Sequence, residues 1–396
     1  MYRFVQLCFS FCSIPFNIHI LPNDKALQSD CLIMEEEEAV PLLRRASSSF
    51  TFFSRSWIPP RAITSKYLLL PCLVLFTFPL LFWHRATLKD LSVPFPRPFP
   101  HPTLPQLLTS GSTPCLPPPT QSLIHHSLHR HTACRTYSPF TLSHTRIAAA
   151  TAHFGLSSLT YLPALRTHVL HSLIHSTSLH VLCDPIIDSL WNKPAFILHL
   201  LIHEMLKPAP QRLEWIMWVD RDTLVLDQCR PIASFLPPPN ATDVNLLVTN
   251  DYNGLNNGVF IVRVSEWAVK LFTCVLAFRH FEPGVALPYT EQSAMEHVLA
   301  TEDFRNQTRY VPQHWFNAYD YGGAAMYAVR KNGSEFGRER VRKGDYLVHF
   351  AGHPEKGAAI EEYEGWLEGG GDVWERGEVV RDVSGEVEEF WRGVGE

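Results

Sequence analysis

Two aspartates one residue apart, Asp220 and Asp222, close the segment Glu214-Trp-Ile-Met-Trp-Val-Asp-Arg-Asp. On an extended chain, residues i and i+2 point to the same side, so both carboxylates can approach one hard cation. Carboxylate oxygens suit Mn²⁺ or Mg²⁺, and such an ion commonly bridges protein carboxylates to substrate phosphates. An acidic pair in a solvated turn is the competing account. The apolar run Trp215–Val219 directly upstream favours the cation, because ligands bind at the C-terminal ends of strands in open α/β sheets.

Three further segments carry polar groups in suggestive order. Asp251-Tyr-Asn-Gly-Leu-Asn-Asn-Gly258 precedes an apolar run; its glycines permit close backbone approach, and its amides can bind sugar hydroxyls. Asn-Gly within this segment is equally a β-turn signal, and both readings can hold at once. Thr290-Glu-Gln-Ser293 sits at a helix start, with Thr290 as N-cap on the simplest reading and Glu291 and Gln292 free to face a ligand. His349, in Gly344-Asp-Tyr-Leu-Val-His-Phe-Ala-Gly352, ends a short strand where a third metal ligand would stand.

The elements that must position these groups read as an α/β domain. Trp215–Val219, Leu246–Thr249, Val259–Val264 and Tyr346–Phe350 are strand candidates; Trp267–Phe281 and Gln292–Ala300 repeat apolar residues at helical spacing. His168, His171 and His175 also fall at helical spacing. No Cys or carboxylate completes a zinc set there, so surface histidines are the expectation.

The 396-residue chain has a formal charge of −5 with scattered Lys and Arg, which gives no electrostatic basis for nucleic-acid binding. Nine Cys include no CxxC pair, excluding a zinc ribbon or thioredoxin-type centre; the pairing is not legible from sequence. Residues 67–83, YLLLPCLVLFTFPLLFW, contain no charge and are long enough for a short bilayer span. More basic residues lie before it than after it, so the positive-inside rule puts residues 1–66 in the cytosol and the bulk of the chain in the lumen. Met34 is an alternative start, with residues 1–33 outside the true protein. Residues 84–135 include a proline-rich stretch, 92–119, expected to be an extended stem. The catalytic region is expected at 136–370 and a tail at 371–396. The sequons at Asn240, Asn306 and Asn332 all lie on the expected luminal side.

Taken in order, WNKP, EWIMWVDRD, NGLNNGVFIVR, EQSA, VPQHWFNAY and YLVHFAGHP resemble glycosyltransferase family 34, over about residues 191–367. This family comprises fungal galactosyltransferases and α-1,6-mannosyltransferases and is related to plant xyloglucan xylosyltransferases. The resemblance implies a GT-A-like fold, an α/β nucleotide-binding sheet fused to an acceptor-binding half. It implies retaining, Mn²⁺-dependent transfer of a hexose from UDP-galactose or GDP-mannose to a glycan acceptor. By the same resemblance Asp220, Asp222 and His349 are the metal ligands. Asn256, Gly258, Gly352 and Lys356 contact substrate, and Glu291 and Gln292 are catalytic. The chain departs from the family in having Arg221 between the two acids and Thr290 before Glu291. The first nucleotide-binding strand has to come from Leu107–Thr109 or the Tyr137–Ala152 region, and residues 143–156 resemble the helix that follows it.

Two functions from different classes are consistent with this. One is a Golgi type II membrane hexosyltransferase, held by its single helix, with a Golgi glycosyltransferase complex as a candidate partner. The alternative is a non-catalytic subunit of a Golgi mannan-synthesising complex, for which the missing first strand would speak.

Overall fold

A computed structural model describes residues 106–140, 145–155, 159–329, 337, 339–369, 373–378 and 380–394. The expected anchor at 67–83, the cytosolic segment and residues 84–105 of the expected stem lie outside the described residues, as does the sequon at Asn332. Among the described residues no helix is long and apolar enough to cross a membrane.

Seven strands form the main sheet: β1 (Leu107–Ser110), β2 (Ile147–Ala152), β3 (Ser178–Leu182), β4 (Trp215–Val219), β6 (Leu246–Asp251), β7 (Gly254–Arg263) and β8 (Thr308–Tyr310). Their order is β1-β3-β2-β4-β7-β6-β8. The four strands from β1 to β4 pair in parallel, β7 pairs antiparallel with both β4 and β6, and β8 pairs in parallel with β6. A second sheet joins β5 (Thr223–Val225), β10 (Leu347–His349) and β9 (Ala318–Tyr319) in the order β5-β10-β9.

The main sheet is covered on both faces. Trp215, Met217 and Val219 pack with Leu165, Val169 and Leu173 of α2 (Leu162–His175) on one side. Ile216 and Trp218 pack on the other side with Phe196, Leu200 and Leu201 of α3 (Asn192–Met205) and Leu271 of α4 (Glu266–Phe281). A strand apolar on both faces is the expected consequence of this burial. Helix α5 (Glu291–Leu299) adds to the second layer through Ala294 and Met295, and two short helices follow it, α6 (Glu302–Arg305) and α7 (Gly323–Val329). The small sheet packs Leu224 and Val348 against Ile360 and Tyr363 of α8 (Lys356–Gly369).

Both stretches offered for the first strand form strands, β1 at Leu107–Ser110 and β2 within the Tyr137–Ala152 region, and β2 corrects the helix read over residues 143–156. Ile147-Ala-Ala-Ala-Thr-Ala152 favours helix by intrinsic preference, yet it forms β2 between β3 and β4. Ile147 and Ala149 face one apolar layer and Ala150 the other. Burial on both faces outweighs the local preference.

The folded unit extends beyond 136–370 at both ends. Strand β1 and α1 (Gln121–Tyr137) belong to it, and disulfides Cys115–Cys183 and Cys134–Cys229 tie them to the β3 end and the chain beyond β5. At the other end, Val387 and Trp391 of α9 (Ser384–Val394) enter the core, and the Trp391 indole donates to the Phe235 carbonyl at 3.2 Å.

The three helical histidines are neither a zinc site nor surface residues. His168 Nε2 donates to the Thr223 carbonyl at 3.1 Å, His171 Nε2 to Arg230 at 2.9 Å and His175 Nε2 to Gln228 at 2.9 Å. They fasten α2 to β5 and the chain that follows it. Burial pushes His168 and His171 down to about 4.

Candidate metal and donor site

The site assembles where the two sheets meet. Asp220 directly follows the last residue of β4 in the main sheet, and β5 of the small sheet begins at Thr223. The two acids do not meet on an extended strand as the spacing implies. Arg221 and Asp222 form a turn, closed by the Thr223 N–H on the Asp220 carbonyl at 3.2 Å. Strand β10 pairs antiparallel with β5 and sets His349 opposite Thr223. The Phe350 N–H donates to the Asp222 carbonyl at 3.0 Å and locks that register. On the other side the Asp220 N–H donates to the Gly258 carbonyl of β7 at 2.8 Å.

Asp220, Asp222 and His349 thereby converge, with one ligand atom from each within 4.8 Å of the others. It is the one such group of three found among the described residues. His349 Nε2 lies 3.5 Å from Asp222 Oδ1. Two carboxylates and one imidazole form a mixed oxygen and nitrogen donor set that suits a divalent ion of the Mn²⁺ type, so the residues present fit the metal that the motifs imply. His353, four residues on, is not part of the group: its Nδ1 accepts the Glu355 N–H at 3.1 Å and its Nε2 is 3.7 Å from Asp320.

Two lysines balance the acids. Lys356, at the start of α8, places Nζ 2.5 Å from Asp222 Oδ2. Burial alone would raise the Asp222 carboxyl, but His349 and Lys356 outweigh it and hold it well below the usual carboxylate range. Lys193, of the WNKP segment, is buried in α3. Its Nζ lies 3.1 Å from Asp220 Oδ1, 3.2 Å from Glu291 Oε1 and 2.8 Å from Asn257 Oδ1. Burial opposes the Lys193 charge, yet Asp220 and Glu291 overcome this and keep its ammonium above the ordinary lysine value.

Glu291 is 2 % exposed at the first turn of α5. Its Oε1 meets Lys193, and its Oε2 is buried without a hydrogen-bond partner. Burial raises its carboxyl, against the pull of Lys193. Gln292 Oε1 accepts the Asn257 N–H at 3.1 Å, so Gln292 braces β7. Thr290 is not the side-chain cap expected of it; it has φ 56° and no capping hydrogen bond.

Asn256 and Asn257 lie inside β7, and the turn before it is Asp251–Gly254, with Gly254 at φ 105°. The Asn-Gly turn signal of this segment is met at Asn253-Gly254, while Asn257-Gly258 continue the strand. Gly258 is required for space: a Cβ there would sit 2.2 Å from His349 Cε1. Gly352 has φ 66° in the turn after β10. Arg221 faces away from the metal group, donating to the Phe154 carbonyl at 3.1 Å with its guanidinium 4.5 Å from the Tyr161 ring.

Sequence reasoning assigned no role to Lys193, Asn317, Tyr319 or Asp251. Asn317 is fully buried and joins His349, Thr249 and Asn256 by hydrogen bonds. Tyr319 donates to Asp251 Oδ2 at 2.6 Å. Lys193 and Asn317 both lie in segments that carry the family resemblance, WNKP and VPQHWFNAY, and that was the available signal.

Among known proteins, the chain is 25 % identical over 195 residues to an uncharacterized alpha-1,2-galactosyltransferase of Schizosaccharomyces pombe, covering 41 % of this chain and 52 % of that protein. It is 26 % identical over 186 residues to an alpha-1,2-galactosyltransferase of the same yeast, covering 38 % and 44 %. The chain thus spans about half the length of the curated relatives it matches. A solved glycosyltransferase involved in the glycosylation of the major capsid of PBCV-1 aligns with a TM-score of 0.42 and 16 % identity, over 56 % of this chain and 99 % of that one. The glycosyltransferase GlyE of Streptococcus pneumoniae TIGR4 aligns with a TM-score of 0.36 and 10 % identity, over 63 % and 64 %. Residues 238–358, from the loop before β6 to the start of α8, match the profile of the galactosyl transferase GMA12/MNN10 family, and over that stretch the chain is similar to this family.

Proposed function

We propose that this chain is a retaining hexosyltransferase of GT-A type that moves galactose or mannose from a nucleotide sugar to a glycan acceptor. The observation that carries the reading is the convergence of Asp220, Asp222 and His349 at the junction of the two sheets. A bound Mn²⁺ would neutralise the charge that develops on the departing diphosphate. Asp220, Asp222 and His349 would hold it. Lys356 and Lys193 stand beside the acids and supply positive charge for the same phosphates. The unpartnered Oε2 of Glu291 is available to a sugar hydroxyl or to positive charge developing on the sugar ring.

The presence of β2 removes the observation behind the non-catalytic alternative. The relatives named as alpha-1,2-galactosyltransferases favour UDP-galactose as donor over GDP-mannose. We place the enzyme in the Golgi, type II, anchored by residues 67–83. Two disulfides agree with an oxidising lumen, and exposed Asn240 and Asn306 are accessible for glycosylation there. Full-chain protein incubated with Mn²⁺, a mannoside acceptor and either donor tests the reading. Product from UDP-galactose supports it, product from GDP-mannose alone reassigns the donor, and none from either contradicts it.

A further inference from the structure

His349 offers Nε2 to a cation only while that nitrogen is bare, so a neutral ring must carry its proton on Nδ1. A chain of buried amides decides this. The backbone N–H of Gly258, which can only donate, lies 2.9 Å from one end of the Asn256 side chain and identifies that end as Oδ1. The same Oδ1 is 2.9 Å from the Asn317 side chain, so the group facing it must be the donor Nδ2. Nδ2 also reaches Thr249 Oγ1 at 2.7 Å. The other end of Asn317 is therefore Oδ1, an acceptor, and it lies 2.8 Å from His349 Nδ1. Only a protonated Nδ1 satisfies it. In the neutral ring this leaves Nε2 bare, and it is Nε2 that faces Asp222.

The surroundings fix each link. Asn317 and Thr249 are fully buried, and Asn256 and His349 nearly so, which leaves little room for bulk water to offer other partners. Asn256 cannot flip, because its Nδ2 donates to Asp251 Oδ2 at 3.0 Å, and a flip would set its oxygen against that carboxylate. The bare Cα of Gly258 provides the slot in which the ring lies.

We infer that Asn317 is a positioning residue that selects the metal-binding tautomer of His349, with its own orientation dictated through Asn256 by the backbone of Gly258. The inference rests on the metal reading of Asp220, Asp222 and His349. Outer partners of this kind typically change metal affinity 10–100-fold when removed.

The test is Mn²⁺ affinity of the full chain, read from the free-ion electron paramagnetic resonance signal, with circular dichroism to verify folding. Asn317→Leu removes the acceptor and should weaken Mn²⁺ binding by about 10–100-fold. Asn317→Asp keeps an acceptor for Nδ1–H and should bind within about threefold of wild type, or more tightly. Wild-type affinity in Asn317→Leu, or equal losses in both folded variants, would overturn the inference. Should Asn317→Asp not fold, Thr249→Val replaces it. That change removes one acceptor of Nδ2 and leaves the link through Asn256, so near-wild-type affinity supports the relay and a loss like that of Asn317→Leu overturns it. Absence of Mn²⁺ binding by wild type would overturn the metal reading and the inference with it, a result distinct from retained binding in Asn317→Leu.

Discussion

His349 and His353 stand four residues apart, and their surroundings separate them. His349 is held in the β10 register, wedged against Gly258 and hydrogen-bonded to Asn317. His353 follows the turn at Gly352 and is partly exposed. A ligand serves best when its position is preorganised, so His349→Ala should shift the Mn²⁺ activation curve to much higher concentration while His353→Ala moves it little. Activity measured against Mn²⁺ for both variants checks this; a shift in His353→Ala alone would reverse the assignment. The acids and His349 were legible in the sequence because each ends an apolar run. Asn317 was not, because its partners come from β6, β7 and β10, which only the tertiary fold brings together.

At the level of elements, α2 is fastened to the β5 region by imidazoles that are neutral in the folded protein. His168 and His171 are pushed down to about 4, whereas an unfolded histidine titrates near its model value of 6.5. Between those values the unfolded chain binds protons that the folded chain does not. The stabilisation is therefore complete above about pH 6.5 and is lost as pH falls towards 4. Between pH 7 and pH 5 each such histidine should cost about 2 kcal/mol. Urea unfolding at the two pH values should show a smaller loss for His171→Gln than for wild type; an equal loss would show that His171 does not titrate as described. The elements with clear periodicity, β4, α4 and α5, fall close to where the sequence puts them. Strand β2 does not, because three consecutive alanines carry a helical preference that only two-sided burial reverses. The histidine helix was misread for a similar reason: its polar residues face carbonyls of a distant segment.

At the scale of the whole molecule, the folded unit reaches into segments expected to be stem and tail. Asp382 pairs with the fully buried Arg230 at 2.9 Å, and Trp374 donates to Asp227 at 3.0 Å, so the C-terminal segment closes over the chain that follows β5. Trp391→Ala should lower stability by about 3–5 kcal/mol in urea unfolding. A change under about 1 kcal/mol would mean that α9 is not part of the cooperative core. Topology is tested separately. In sealed microsomes a C-terminal tag should resist added protease, and its digestion would place the catalytic unit on the cytosolic face.

The most direct measurement is transfer by Asp222→Asn with saturating Mn²⁺ and donor. The substitution keeps the size of the side chain and removes its charge at the point where His349 and Lys356 both converge. With the fold intact by circular dichroism, the account predicts a fall in transfer of at least about 10² relative to wild type. Near-normal transfer by Asp222→Asn would contradict it.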